Sequence, residues 1–141
     1  MENNFLVSTD HDKLDIDMIY AYLSNQAYWS KGRSRSVVEK SIANSLCFGI
    51  YHPNGQQVGF ARVVTDYAVF AWLMDVFILE EHRGCGLGKL LVAYILEHPD
   101  LQNLKRWGLL TAAAHNLYQL YGFSPIASPE WYMELVNPSI E

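Results

Sequence analysis

Arg83-Gly84-Cys85-Gly86-Leu87-Gly88-Lys89 is the stretch that decides the fold. Val76-Phe77-Ile78-Leu79 precedes it and Leu90-Leu91-Val92-Ala93-Tyr94-Ile95-Leu96 follows, so the order reads as strand, glycine-rich turn, helix. Such a turn leaves backbone N–H groups of Gly84, Cys85, Gly86, Leu87, Gly88 and Lys89 pointing outward at the positive end of a helix, which suits phosphate. Alternate glycines let the backbone approach a ligand where a Cβ would clash. Arg83 and Lys89 add charge at the two ends. Two nucleotide motifs do not fit. A Walker A loop has glycine where Arg83 stands and a magnesium-binding hydroxyl where Leu90 stands. A dinucleotide fingerprint has the spacing Gly-x-Gly-x-x-Gly and an acid about 20 residues on, near Leu104, where no carboxylate lies within three residues.

The chain of 141 residues reads as a single domain, 1–141, with one core and no internal repeat, low-complexity segment or linker. Half of it is apolar, which makes it globular. A net charge of −5 argues against a broad nucleic-acid surface but leaves room for a local positive site. Cys47 and Cys85 lack metal-ligand spacing, and no metal is expected. The Met1-Glu2-Asn3-Asn4 start is polar, and no apolar run approaches the ~20 residues that span a bilayer. A cytoplasmic protein without a membrane partner is the expectation. Cys85 could be a nucleophile at a helix N-terminus, but a small residue that leaves the loop's N–H groups free is the plainer reading.

Apolar periodicity predicts a short strand at Phe5–Ser8 and a helix over Ile16, Ile19, Tyr20, Leu23 and Ala27. Ser34 or Ser36 caps a second helix ending near Asn44. Strands follow at 46–51, 58–65 and 70–79, the first two joined by the turn Pro53-Asn54-Gly55. After the loop come a helix ended by Pro99, a short buried strand at 107–110, and a helix over 112–121 stopped by Gly122. Residues 123–127 and 131–136 read as a final strand pair. The order is β-α-α-β-β-β-α-β-α-β-β, an α/β (α+β) chain. An aromatic strand such as Trp131-Tyr132-Met133 should not stay bare, which makes a homodimer the expected assembly.

Arg83, Gly86 and Gly88 occupy the fixed positions of an Arg-x-x-Gly-x-Gly/Ala signature, and Ala114-His115-Asn116-Leu117-Tyr118-Gln119-Leu120-Tyr121-Gly122-Phe123 follows. Together they resemble the two motifs of the GCN5-related N-acetyltransferase (GNAT) superfamily. The resemblance implies the GNAT acyl-CoA N-acyltransferase fold, a mixed, mostly antiparallel central sheet flanked by helices. It also implies acetyl-CoA as cosubstrate, with its pyrophosphate on the 83–89 loop, and an amine as acceptor. Backbone N–H groups around Phe77 and Ile78 would hold the acetyl carbonyl and pantetheine. Tyr118 matches the family tyrosine that protonates the leaving thiolate. Where the family often has a cofactor-binding Asn, this chain has Thr111, whose hydroxyl still offers one hydrogen bond.

Two residues are candidates for the base that takes the amine proton. Asp75 falls in an apolar strand, where burial would raise its pKa toward a useful range. His115 precedes Tyr118 by three residues and titrates near neutrality. The acceptor is undecided on sequence alone. Tyr20, Tyr28, Trp29, Tyr67 and Trp72 could enclose an aromatic or cationic amine, Asp66 and Asp75 could attract a cation, and Lys31-Arg33-Arg35 could bind a carboxylate or a 3′-phosphate. A small-molecule amine, a protein lysine or N-terminus, and a regulatory module that binds acyl-CoA without turnover all remain open.

Overall fold

Alternating apolar residues build five strands in the computed structural model, which describes residues 4–138. Residues 1–3, which open the polar N-terminal stretch, and 139–141 lie outside the described residues. The strands are β1 (Leu6–Ser8), β2 (Leu46–Tyr51), β3 (Gln57–Thr65), β4 (Phe70–Ile78) and β5 (Arg106–Leu109). They lie side by side in that order. Every neighbour is antiparallel except β5, which runs parallel to β4. A parallel pair needs a crossover, and here it carries a helix. The helices are α1 (Ile16–Asn25), α2 (Arg35–Ala43), α3 (Leu87–Glu97) in the crossover, and α4 (His115–Gln119). The fold class expected from the sequence is the one observed. Among the described residues no helix is long and apolar enough to cross a membrane.

Each face of the sheet carries its own core. Phe48, Ile50, Val63, Ala71 and Leu73 pack with Leu91, Val92 and Ile95 of α3 on one side. Cys47, Phe60 and Phe77 pack with Ile19, Leu23, Val38 and Ile42 of α1 and α2 on the other. Fully burying an aliphatic side chain such as Leu91 or Ile95 contributes on the order of 1.5–3 kcal/mol. Asp15 caps α1 by accepting from the Met18 N–H at 3.0 Å, and Ser34, not Ser36, caps α2 by accepting from Val37 at 3.2 Å.

β4 is broken by a bulge. Phe60 faces Phe77 and Arg62 faces Met74, so Asp75 and Val76 together oppose the single residue Ala61. The extra residue resets the alternation. Ala71 and Leu73 share the α3 face with Val76 and Ile78, while Phe77 turns to the α1–α2 face. Asp75 takes φ 55°, a left-handed conformation that costs a non-glycine residue on the order of 1–3 kcal/mol but that Asp tolerates better than most.

The final strand pair expected at 123–127 and 131–136 does not form among the described residues. Pro125 and Pro129 have no N–H to give a ladder, and a 3-10 turn at Pro129–Trp131 interrupts the run. The tail stays open, with Met133 90% and Leu135 98% exposed. The helix expected over 112–121 shortens to α4, and Gly122 ends it at φ 96° as anticipated.

The bulge predicts a stability signature. Replacing Asp75 by Asn strands two guanidinium groups beside a neutral amide and should cost about 3–5 kcal/mol in urea unfolding at neutral pH. The Asp75 carboxyl is held below its ordinary range in the folded protein. Its contribution is therefore complete above the unfolded carboxyl pKa of about 4 and is lost as pH falls through the lower folded value. The wild-type urea midpoint should drop over that acidic window, and Asp75→Asn should lack that component of the drop.

Candidate active site

The loop after β4 takes the shape its glycines allow. Gly84 and Gly86 sit at φ 85° and 86°, and a Cβ at either would meet no atom within 4 Å, so the space in front of the loop is open. Gly86 begins α3 with no side chain to cap its N–H groups. Arg83 braces the loop by donating from Nε to the Ile78 carbonyl at 2.8 Å and from Nη2 to the Tyr22 hydroxyl at 2.7 Å. The uncapped donors at the start of an 11-residue helix, the left-handed glycines and the open space fit a phosphate group.

β4 and β5 part beside the loop. Their pairing runs from Phe70–Arg106 to Leu73–Leu109 and stops there, just before the bulge. From Met74 to Ile78 the β5-facing edge of β4 has no strand partner among the described residues. The Phe77 carbonyl lies against Gly59 on the β3 side, and the Leu79 N–H donates to Val58 on that same side. Alternation along the strand therefore turns the N–H groups of Val76 and Ile78 toward the gap. Of the two backbone donors expected from sequence, Ile78 faces the gap. Phe77 pairs toward β3 and contributes its ring, stacked on Tyr22 at 3.9 Å between centroids.

The gap and the loop open into one cleft of about 880 Å3. Asp75, Phe77, Ile78, Arg83, Gly84, Gly86, Leu87, Gly88, Thr111 and Tyr118 all line it. Cys85, Lys89 and His115 do not. The Cys85 thiol donates to the His82 carbonyl at 3.1 Å, and Lys89 is exposed on the first turn of α3. His115, at the start of α4, is exposed and lines a groove of about 910 Å3 along β5, which shares Trp72, Thr111 and Tyr118 with the cleft as walls. Tyr132, from the tail, lines that groove as well.

Tyr118 is buried at the cleft wall, with its ring edge-on to Phe123. Burial, and then the neighbouring Tyr28, pushes its hydroxyl pKa up, so the group stays protonated at neutral pH. The Thr111 hydroxyl accepts from the Ala114 N–H at 3.0 Å, which anchors the turn into α4.

Asp75 departs from its expected state. Burial alone would push its carboxyl up, but the charges of Arg62 and Arg33, with hydrogen bonds from Arg62 and Trp29, outweigh it and hold the carboxyl below the ordinary range. Oδ2 accepts from Arg62 Nε at 2.6 Å and Arg33 Nη1 at 3.0 Å, and Oδ1 accepts from Trp29 Nε1 at 2.9 Å. The expectation of a raised pKa counted burial and missed three donors. Trp29 and Arg33 come from the α1–α2 connection and Arg62 from β3. The one sequence signal for them was a charged Arg62 inside the apolar run of β3.

Residues 43–125 match the family model described as the acetyltransferase (GNAT) domain. A candidate acetyltransferase of Gibberella zeae is 33% identical over 134 residues, covering 82% of this chain and 76% of that protein. A crystal structure from Xanthomonas campestris pv. campestris, described as a candidate acetyltransferase of the GNAT family, is 47% identical with a TM-score of 0.93, covering 98% of this chain and 96% of that one. N-acetylglutamate synthase from Neisseria gonorrhoeae, crystallised with coenzyme A and N-acetyl-glutamate, shares the fold at 20% identity and a TM-score of 0.73, covering 92% of this chain and 30% of that one. The domain match runs from the end of α2 to beyond α4 and takes in every wall of the cleft except α1 and the α1–α2 connection; the chain belongs to the GNAT family of acetyltransferases.

Proposed function

We propose that this protein is an acetyl-CoA-dependent N-acetyltransferase that acts on the primary amine of a small molecule. The observation that carries this reading is the continuity of the cleft: an uncapped helix N-terminus with left-handed glycines at one end, and the unpaired edge of β4 facing Tyr118 at the other. Acetyl-CoA supplies the acetyl group as a thioester. The N–H groups of Gly84, Gly86, Leu87 and Gly88 hold pyrophosphate, with Arg83 fixing the loop and adding its charge. The N–H groups of Val76 and Ile78 hold pantetheine and the carbonyl oxygen on which charge develops. A preoriented donor of that kind is worth roughly 3–4 kcal/mol in the transition state. Thr111 keeps its O–H free to donate to the same ligand while its oxygen anchors Ala114.

Tyr118 holds the proton that the departing sulfur takes. Its raised pKa keeps that proton in place across the neutral range. Asp75 positions rather than abstracts: every donor it meets favours the carboxylate, and its role is to tie Trp29 and Arg33 over the cleft. His115 opens onto the other groove, so the amine proton leaves through water at the cleft mouth. The pinned α1–α2 connection favours a small acceptor over an extended peptide.

Release of free thiol from acetyl-CoA over a panel of small amines and lysine peptides tests the reading; binding of CoA without turnover on any acceptor would overturn it. Gly86→Val places a β-branched residue at φ 86° and a side chain in the phosphate space, and should raise the CoA dissociation constant by about tenfold or more, read by calorimetry. Unchanged affinity would remove the cradle assignment. Tyr118→Phe should lower kcat by about 100-fold in single-turnover measurements. Wild-type kcat should show no loss from this hydroxyl until pH exceeds about 10.

A further inference from the structure

The cleft holds more positive charge than its one carboxylate neutralises. Asp75 serves two guanidinium groups at once through Oδ2. Arg62 stands behind the cleft wall and spends Nη1 on the Ser45 hydroxyl at 3.1 Å. Arg33 lines the cleft with its side chain only 11% exposed, and among the described residues its Nε and Nη2 make no hydrogen bond. The remaining charged groups do not offset it. Arg83, also lining the cleft, is cationic and committed to Ile78 and Tyr22. Asp66 is turned inward on the Ala68, Val69 and Phe70 N–H groups at the β3–β4 turn, away from the cleft. Arg35, from the same basic segment as Arg33, pairs with Asp17 and Glu39 at the surface.

The unused donors of Arg33 open onto the cleft, where they are free to bond a ligand, and the planar fork of the guanidinium matches a carboxylate. We propose that Arg33 docks a carboxylate of the acceptor, so that the acceptor is an amino acid or a similar zwitterion and not a simple amine or a polyamine. This rests on the acetyl-transfer reading above. The same surplus charge lowers the pKa of the docked ammonium and so favours the neutral nucleophile. Tyr28 and Trp29 line the cleft with Arg33 and give the acceptor side chain an apolar wall. In the transfer the amino nitrogen bonds the acetyl carbon, the C–S bond breaks, sulfur takes the Tyr118 proton, and the tyrosine is reprotonated by the proton the amine gives up. The products are an N-acetyl amino acid and the CoA thiol, with the second ammonium proton released to water.

Calorimetric titration of the CoA-saturated protein with N-acetyl derivatives of the common amino acids, each paired with its carboxamide, tests the assignment without needing turnover. At least one acid should bind about tenfold or more tightly than its amide. Arg33→Gln should erase that difference and leave amide binding unchanged. Arg33→Lys, which keeps the charge beside Asp75, should restore part of it. Equal affinity for acid and amide, no binding of any acid, or an equal loss of both in Arg33→Gln overturns the inference. Thiol release separates the two readings: turnover of amines with no preference for acids sinks this inference alone, whereas an acid preference in binding with no turnover of any amine sinks the transferase reading alone.

Discussion

The cleft depends on one carboxylate held in a strained backbone. Pairing of β4 with β5 ends at Leu73, and Asp75, two residues on, carries the bulge with its φ of 55°. Left-handed backbone is unfavourable for any residue with a side chain, so the bulge needs an offsetting interaction. Three donors from two places in the chain supply it: Arg62 on the neighbouring strand, and Trp29 and Arg33 on the α1–α2 connection. A glycine there would relieve the strain and lose those bonds. The carboxylate thus does two things with one set of contacts: it stabilises the bend that exposes the β4 edge, and it fastens the roof over the space that the bend creates.

Most of the remaining site is backbone. The loop N–H groups, the start of α3 and the edge of β4 are all consequences of where the chain turns, and side chains matter chiefly by permitting or bracing those turns. Arg83 shows the pattern. It is the charged residue of the loop signature, yet its guanidinium ties the last carbonyl of β4 to a tyrosine of α1. Such bracing keeps the donors in place without ligand, so little ordering entropy is left to be lost on binding.

This division explains what the sequence made legible. Glycine spacing after an apolar strand identifies the loop because few residues tolerate a left-handed backbone, and Gly84, Gly86 and Gly122 all adopt it. The start of the second helix was legible through Ser34, whose side chain caps by simple local geometry. Contacts between distant segments were not. Nothing in the neighbourhood of Asp75 names Trp29 or Arg33, which lie more than 40 residues away, so burial alone gave the wrong direction for its carboxyl. His115 and Tyr118 have helical spacing that suggests a shared face, and both line the groove, but α4 is five residues long and of the two only Tyr118 also reaches the cleft. The terminal segments had apolar alternation but prolines at Pro125 and Pro129, and a ladder needs N–H groups as well as a pattern.

Charge completes the argument. The chain carries a net −5, which would repel a polyphosphate ligand at long range. The cleft reverses that sign locally with Arg33, Arg83 and the N-terminus of α3. A reversed patch inside an acidic surface is screened over about 10 Å at 0.1 M salt, so it acts on a ligand already at the mouth rather than steering one from afar. Attraction at contact distance discriminates by fit. On the proposed reading it admits anionic groups whose geometry matches the loop amides or the arginine fork, and it disfavours a bare cation that enters without a carboxylate of its own.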